Sequence, residues 1–319
     1  MSQVSTLVCF VLVVHISTAS SALFAIGDVH GDVEQLKAML QLCQVVNASG
    51  NWTGGNATVV QVGDIFDRGP EDFEAAAFLM HLREEAAVAG GTVAILLGNH
   101  ELMNLESAFH YAHPDSLQGE ARKAALASGT PIGDFVRSFN LTYVSMNTLF
   151  VHAGLDARYL SESEDALTSL NSEGQDALQS NWFKAPLFGI HGPLWTRRIV
   201  NEAISGDCDR VKSTLSQVKL DRMVVGHTPQ RSGHVEAYCD DRLIVVDVGM
   251  SKWMYGHLSA LELSSNDIGE IEMREVFGQY TDDHGKADGA TPKTLEEALR
   301  ADASLLQEVL ETVEEKVRD

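Results

Sequence analysis

The stretch TVAILLGNHE, residues 92–101, joins an apolar run to a polar turn. The apolar run, residues 92–97, predicts a buried strand that delivers Asn99 and His100 to the turn at its carboxyl end. A single His after a strand is usually a hydrogen-bonded structural residue, so this turn alone does not identify a site. Four other apolar runs also end in Asp or His beside Gly, and they lead into GDVHGD at 27–32, GDIFDRG at 63–69, HAG at 152–154 and GHT at 226–228. This repetition predicts that several strand ends contribute to one functional site.

The polar side chains at these strand ends combine carboxylates, imidazoles and an amide oxygen. They belong to Asp28, His30, Asp64, Asn99, His152 and His227. The mixture suits two first-row divalent cations, with Mn as the first choice and Fe or Zn as alternatives, and suits neither a Cys-rich zinc site nor an all-oxygen calcium site. Two adjacent cations lower the pKa of a bridging water and stabilise the attacking and leaving oxygens of an in-line displacement.

The charge balance of the chain limits its partners. Among 319 residues, 45 Asp and Glu outnumber 23 Lys and Arg, which gives a formal net charge of -22. Such an acidic surface repels nucleic-acid backbones and anionic membrane surfaces, so we expect no nucleic-acid partner. The length, a hydrophobic content of 45% and the lack of visible repeats favour one large domain with appendages.

The first 22 residues indicate a secretory signal peptide. The apolar run LVCFVLVVHI at 7–16 is too short to span a membrane, and small residues that permit cleavage after Ala19 or Ala22 follow it. Because no Lys or Arg precedes the run, a buried strand or an uncleaved anchor is the alternative. After cleavage, we expect no stable membrane span.

Two further features agree with a secreted or endomembrane-lumen glycoprotein. Asn-x-Ser/Thr sequons occur at Asn47, Asn51, Asn56 and Asn140, three of them in one polar, Gly-rich segment that should be a surface loop. Of the cysteines left after cleavage, Cys208 and Cys239 could pair in an oxidising compartment, but the sequence gives no distance between them.

The mature chain is expected to contain a catalytic domain over 23–277 and an extension over 278–319. The extension begins with a turn-rich linker and continues as an acidic amphipathic helix, which either docks on the body or contacts a partner. Its apolar stripe consists of Leu295, Leu299, Ala303, Leu306, Leu310, Val313 and Val317.

Apolar periodicity also predicts the elements around the strand ends. Helices over 33–40 and 71–88 should pack on the sheet, and residues 103–147 should form a helical excursion over the site. His110 and His113 in that excursion are interpreted as ordinary surface or packing residues. A run of β-hairpins between 234 and 276 predicts a second sheet that packs against the first.

Arginines near the strand ends are candidate phosphate ligands. Arg68 follows Asp67 in a Gly-bounded turn, and its guanidinium suits a tetrahedral oxyanion; a solvated loop with a local ion pair is the alternative. Arg197 and Arg198 lie close to Trp195, and one of them could be a second phosphate clamp, unless they form a surface pair beside a core Trp.

The strand-end motifs, in this order, resemble the signature of the phosphoprotein phosphatase (PPP) family of metallophosphoesterases over roughly residues 23–276. GPLW at 192–195 and DVGMS at 247–251 resemble its Shewanella-like protein phosphatase branch. The resemblance implies a calcineurin-like α/β (α+β) fold, with a central β-sandwich of mixed sheets flanked by helices. The His-Gly-Gly motif of the family is His-Ala-Gly here, and Ser-Ala-Pro-Asn-Tyr-Cys of the toxin-sensitive enzymes has no counterpart, so okadaic-acid-type inhibition is not expected.

The resemblance also implies a role for each site residue. One metal ion would be held by Asp28, His30 and Asp64, and the other by Asp64, Asn99, His152 and His227. His100, oriented by Asp67, would act as the general acid that protonates the leaving oxygen. Arg68 would bind the phosphoryl oxygens, with Arg197 as the second clamp and Tyr255 at the wall of the site.

The expected function is that of a metal-dependent phosphoprotein phosphatase, which hydrolyses phosphomonoesters by direct attack of a hydroxide bound to two metal ions. A dinucleoside-polyphosphate hydrolase is an alternative, because it shares most of the motifs. A non-catalytic phosphopeptide-binding scaffold is a further alternative, which predicts lost metal ligands, whereas all of the expected ligands are present.

Overall fold

The computed structural model describes residues 22–266 and 268–278, which form two five-stranded mixed sheets flanked by helices. The signal segment expected over 1–22 and the extension expected over 278–319 lie outside the described residues, apart from Ala22 and Gly278. Within the described ranges, none of the helices combines the length and the apolar character needed to cross a bilayer.

Each sheet contains three adjacent parallel strands. In the first sheet, β1 (Leu23–Ile26), β2 (Thr58–Gln61) and β3 (Thr92–Ile95) are parallel. The second sheet has the order β4 (Thr142–Ser145), β5 (Thr148–Val151), β6 (Arg222–Val225), β8 (Leu243–Val245) and β7 (Glu236–Tyr238), with antiparallel strands only at its edges. The pair β9 (Leu258–Ser265) and β10 (Ile271–Gly278) is antiparallel and extends the first sheet beyond β1.

Apolar side chains from the facing strands fill the space between the sheets. Leu23 and Ala25 of β1 point inward because alternate residues of a strand face opposite sides of its sheet. They meet inward-facing residues of both sheets, among them Val60, Val62, Phe150, Val224, Ile244 and Leu263. Phe24 and Ile26 face outward and pack in the core formed with the helices.

Helices flank the two sheets, and sequence signals mark the ends of some of them. They are α1 (Val33–Leu42), α2 (Asp72–Ala89), α3 (Asn99–Leu105), α4 (Gly119–Ala125), α5 (Pro131–Arg137), α6 (Ala166–Gln179), α7 (Arg198–Ile204) and α8 (Asp209–Val218), with 3-10 turns at Ala157–Tyr159 and Pro186–Phe188. The Asp32 carboxylate accepts a hydrogen bond from the Gln35 backbone N–H at the start of α1. Helix α2 ends at Gly90, whose φ of 83° places it in the left-handed region that favours glycine.

The predicted helices over 33–40 and 71–88 are confirmed, as is the helical excursion, which contains α4 and α5 between β3 and β4. The prediction that the hairpin run between 234 and 276 forms one second sheet is wrong in part. The β7–β8 hairpin lies in the second sheet, but β9 and β10 join the first. Strand β9 is buried over most of its length and pairs with the free edge of β1. The alternation of apolar residues along a strand does not encode which strand it pairs with.

Candidate active site

The strand-end residues converge where the parallel strands of both sheets terminate. All six predicted metal ligands are buried, at 7% exposure or less. All of them except His152 line a cavity of about 330 Å³, whose lining also includes His100, Arg68, Arg197 and Asp247. The sheet packing thus places residues from distant parts of the chain around one space, as the repeated motifs predict.

The turns at the strand ends use uncommon backbone conformations. Non-glycine residues with positive φ include His30 at 45°, Asp64 at 58° and His227 at 62°. Such conformations are unfavourable for residues with a Cβ and persist only where the surrounding structure holds them. Gly98 is required for a different reason, because a Cβ there would collide with the Asp64 carboxylate.

Hydrogen bonds to the main chain orient two of the imidazoles. Nδ1 of His30 lies 3.1 Å from the Phe66 carbonyl oxygen, and Nδ1 of His152 lies 2.8 Å from that of Val62. When each Nδ1 donates to its carbonyl, Nε2 is left free to bind a cation.

Asp64 lies between two groups of candidate ligands. Its Oδ2 is 3.9 Å from Nε2 of His30, and its Oδ1 is 3.4 Å from Nε2 of His152. Asp28 Oδ2 lies 3.8 Å from the same His30 nitrogen, and Asn99 Oδ1 lies 3.0 Å from the same His152 nitrogen. This arrangement allows the Asp64 carboxylate to serve both groups, as expected for a shared ligand.

Burial and mutual repulsion dominate the electrostatics of the site. Burial, together with Asp247 and Asp64, raises the pKa of Asp28 well above its usual range. Burial and neighbouring imidazoles lower the pKa values of His30 and His227 to about 3. These imidazoles are therefore neutral at physiological pH, which is the form that binds metal ions.

The donor set fits two divalent cations. Burial would raise the pKa of Asp64, but the adjacent His152 and His100 rings outweigh it and hold the pKa well below the usual range. The ligand atoms of His30, Asp64 and His100, and those of Asp64, His152 and His227, form two buried groups with spacings within 4.8 Å. Carboxylate, imidazole and amide donors of this kind suit Mn, Fe or Zn.

His100 differs from the other imidazoles in its partner. Its Nδ1 lies 2.6 Å from Asp67 Oδ2, so the carboxylate orients the ring and leaves Nε2 facing the cavity, 3.9 Å from Asp64 Oδ2. Its backbone N–H donates to Asp64 Oδ1 at 2.9 Å. Distance alone would allow His100 to bind a cation, but a carboxylate-paired imidazole beside the ligands also has the geometry of a proton donor.

Two arginines line the cavity. The Arg68 side chain lines the cavity, and its buried Nε has no hydrogen-bond partner among the described residues, which makes this guanidinium a candidate anion ligand. Arg197 reaches the cavity from the segment after Trp195, and its Nη2 donates to the His227 carbonyl at 3.2 Å. Arg198 points elsewhere and pairs with Glu202, which distinguishes the two adjacent arginines.

Tyr255 lies beside the cavity rather than in its wall. A Cβ at Gly249 would meet the Tyr255 ring, and Met254 is the member of this segment that lines the cavity. The contact of Tyr255 with substrate therefore stays a prediction. Tyr111, which the sequence did not single out, lines the cavity from the helical excursion, and its carbonyl accepts from the Arg68 backbone N–H at 2.9 Å.

Two buried carboxylates in or near the strand-end motifs, Glu101 and Asp247, are not predicted from the sequence as site residues. Glu101 accepts hydrogen bonds from the backbone N–H groups of Asp64, Ile65, Phe66 and Gly98. Asp247 lines the cavity at the end of β8, and burial raises its pKa to about 6. An Asp next to a strand and two residues before Gly249 repeats the pattern of the other motifs, which could have identified it.

The calcineurin-like phosphoesterase family matches residues 22–231 of the chain. Shewanella-like protein phosphatase 2 of Arabidopsis thaliana is 32% identical over 285 residues, which cover 72% of this chain and 71% of that protein. A symmetrical bis(5'-nucleosyl)-tetraphosphatase of Janthinobacterium sp. is 27% identical, over 75% of this chain and 83% of that protein. The solved structure of a cold-active protein-tyrosine phosphatase from a psychrophilic Shewanella sp. superposes with a TM-score of 0.66 at 26% identity, covering 79% of this chain and 80% of that one. The chain belongs to the calcineurin-like phosphoesterase family and, within it, is similar to the Shewanella-like protein phosphatases.

Proposed function

We propose that the protein is a metal-dependent phosphoprotein phosphatase that hydrolyses phosphomonoesters. The observation that carries the proposal is the pairing of His100 with Asp67 at 2.6 Å, beside a set of buried metal-ligand residues and two arginines in one cavity. This combination provides a proton donor, a cation site and an anion site for a single phosphoryl group. Similarity to Shewanella-like protein phosphatase 2 supports a phosphoprotein as the substrate.

Each group of the cavity has a distinct task in this proposal. Two divalent ions, when bound, supply positive charge and a water of lowered pKa. Arg68 and Arg197 bind and orient the phosphoryl oxygens. His100 donates a proton from Nε2 to the leaving oxygen, and Asp67 holds the ring by Nδ1. No Ser or Cys occurs among the described residues that line the cavity, which supports hydrolysis without a covalent intermediate on such a side chain.

The walls of the cavity favour an aromatic leaving group. Tyr111, Trp195, Pro229 and Met254 provide apolar surface around the polar centre. A phenyl ring gains more from such surface than a serine side chain does. The similarity to the cold-active protein-tyrosine phosphatase agrees with this preference. We therefore expect phosphotyrosine peptides to have a higher kcat/KM than phosphoserine peptides in a panel assayed with Mn.

A dinucleoside-polyphosphate hydrolase is the second candidate function. The similarity to a symmetrical bis(5'-nucleosyl)-tetraphosphatase favours it, since the same metal and arginine side chains could hold a polyphosphate. Turnover of phosphopeptides and of diadenosine tetraphosphate by the same Mn-loaded preparation distinguishes the two. If diadenosine tetraphosphate is hydrolysed faster than the phosphopeptides, the dinucleoside-polyphosphate hydrolase becomes the better supported function.

Two variants test the assigned roles. His100→Ala should lower turnover of phosphopeptides about 10²- to 10⁴-fold while the bound metal is retained, because a general acid contributes about that factor. Asp64→Asn should lose metal together with activity, because Asp64 lies between the two groups of ligands. Metal analysis that gives the opposite pattern would reverse the roles.

If wild-type protein loaded with Mn, Fe or Zn hydrolyses no aryl phosphate, the enzyme proposal is wrong and the scaffold alternative remains.

We also propose that the protein matures in the secretory pathway as a glycoprotein. Its sequon residues Asn47, Asn51, Asn56 and Asn140 are all exposed. Cys208 and Cys239 form a disulfide with a Cα–Cα distance of 5.6 Å, and Cys43 is a buried free thiol. Disulfides persist mainly in oxidising compartments. Expression in eukaryotic cells should yield protein whose mass falls on treatment with an N-glycosidase and whose N-terminus follows Ala19 or Ala22; an unglycosylated, uncleaved product would refute the proposal.

A further inference from the structure

A buried guanidinium lies behind the proton donor, on the side away from the cavity. Arg122 of α4 has an exposed fraction of 0%, and the rings of Phe66, Phe73 and Phe109 surround it at centroid distances of 5.2–5.9 Å. A buried charge of this kind is strongly unfavourable unless polar partners surround it. Arg122 lies in the helical excursion, and no motif in the sequence singles it out.

Every N–H group of this guanidinium has a partner. Nη2 donates to Asp67 Oδ1 at 2.9 Å and to Asp72 Oδ2 at 2.6 Å. Nε donates to Asn104 Oδ1 at 2.6 Å. Nη1 donates to Ser116 Oγ at 3.0 Å and to the Leu117 carbonyl at 3.3 Å. A guanidinium has five N–H donors in a rigid planar fork, and all five are used here. These contacts therefore fix both the position and the orientation of the group.

Two of these contacts lead directly to His100. Asp67 uses Oδ1 for Arg122 and Oδ2 for Nδ1 of His100, so the guanidinium sets the rotation of the carboxylate that orients the imidazole. Asn104 accepts from Arg122 and donates its Nδ2 to the His100 carbonyl at 2.8 Å. The four residues form a closed ring of hydrogen bonds that holds His100 by both its side chain and its main chain.

Asp72 completes the support of Asp67. Its Oδ2 accepts both from Arg122 and from the Asp67 backbone N–H, the latter at 3.1 Å. Without the guanidinium, the Asp67 and Asp72 carboxylates would face each other in a buried space and repel. By donating to both, Arg122 allows the Asp67 and Asp72 carboxylates to lie close to each other.

We infer that Arg122 is a positioning residue for proton donation by His100, and that the helical excursion serves to bring this guanidinium behind the acid. The inference rests on the proposed phosphatase function. Proton donation matters most for leaving groups of high pKa, such as the serine alkoxide, and least for activated phenoxides such as dinitrophenoxide. Loss of positioning should therefore depend on the leaving group, whereas a general loss of structure should not.

Arg122→Lys is the test variant, because the single nitrogen of an ammonium has three donors and cannot replace all five hydrogen bonds that the three guanidinium nitrogens make. We expect kcat/KM for a phosphoserine peptide to fall about 10- to 100-fold and that for dinitrophenyl phosphate to fall less than about 3-fold, with KM and metal content unchanged. In a His100→Ala background, Arg122→Lys should add no further dependence on the leaving group, because the group that it positions is absent.

Arg137→Lys is the matched control. Arg137 is also a buried arginine of the excursion, but it bonds to the carbonyls of Leu126 and Gly133 and to Asn181, away from the cavity. This variant should change kcat/KM for both substrates by the same factor. Circular dichroism shows whether Arg122→Lys is folded. If it is not, Asn104→Ala is the second variant, because it removes the hydrogen bonds of Asn104 to Arg122 and to the His100 carbonyl. It should show the same difference between the two substrates, but a smaller one.

The outcomes separate the inference from the function on which it rests. Equal losses for both substrates in a folded, metal-loaded Arg122→Lys variant, or in folded Asn104→Ala, would overturn the positioning role and leave the phosphatase proposal intact. Wild-type protein that hydrolyses neither substrate would overturn the phosphatase proposal itself.

Discussion

Glu101 connects the strand-end motifs through the backbone, and replacing it by Gln should weaken both the fold and the metal site. Its Oε1 accepts from the N–H groups of Ile65 at 2.7 Å and Phe66 at 3.3 Å, and its Oε2 accepts from those of Asp64 and Gly98, both at 2.8 Å. In Glu101→Gln, one of these oxygens becomes an amide NH₂ that faces two backbone donors. Two buried N–H groups then lose their acceptor.

The cost can be bounded from these contacts. A buried donor left without a partner costs about 1–3 kcal/mol, so two of them cost about 2–6 kcal/mol. Burial and the nearby Asp64 raise the pKa of Glu101, which shows that the ionised carboxylate is itself costly to bury. A neutral amide removes part of that cost, so we expect a net loss of about 2–3 kcal/mol in the free energy of unfolding.

Urea unfolding of the metal-free protein measures this loss, and metal titration of the same variant measures the effect on the site. Metal affinity should fall because the Asp64 backbone loses an anchor. Glu106→Gln is the control, since the Glu106 carboxylate pairs at 3.0 Å with the exposed Lys184 and this surface pair should contribute at most about 1 kcal/mol. Equal unfolding midpoints and metal affinities for wild-type and Glu101→Gln protein would refute this account of the carboxylate.

Replacing Cys208 and Cys239 by Ser should lower the free energy of unfolding by about 3–4 kcal/mol, since their sequence separation is 31, and an unchanged urea midpoint would contradict this. Metal binding near pH 6 should release protons and strengthen as pH rises, because the raised pKa values of Asp28 and Asp247 leave protons on the metal-free site that ligation must displace. Calorimetry in buffers of different ionisation enthalpy measures that release, and a heat independent of the buffer at pH 6 would count against it. Arg68→Ala should lower kcat/KM about 10- to 100-fold through loss of a charged hydrogen-bond donor, measured by steady-state kinetics at fixed metal content, whereas an unchanged kcat/KM would remove Arg68 from the anion site.

The convergence of the candidate ligands could be predicted from the sequence because they follow strands. Asp28, Asp64 and Asn99 each stand two to four residues after the end of a strand, and parallel strands bring their carboxyl ends to one edge. The adjacent arginines were harder to separate. Only the structure shows that Arg197 lines the cavity while Arg198 pairs with Glu202, because side-chain direction at the start of α7 depends on packing.

Partner strands and long-range supports could not be predicted in the same way. The pairing of β9 with β1 depends on which sheet edge is free after the central strands have paired, and local alternation carries no such information. Arg122 is one of three charged residues in a seven-residue helix, and no periodic or motif signal distinguishes it from the other two. Its burial and its bonds to Asp67 and Asn104 exist only in the assembled core.

The sequence by itself determined the types of side chain at the strand ends, their order along the chain and the fold family that presents them. These properties are local, because each motif combines a strand with a turn that the same few residues encode. Tertiary structure alone decided which carboxylate lies between the ligand groups, which arginine lines the cavity and what holds His100 in place. Those properties depend on distances between residues far apart in the chain, and such distances arise only when two sheets and the helical excursion pack around one buried, strongly charged space.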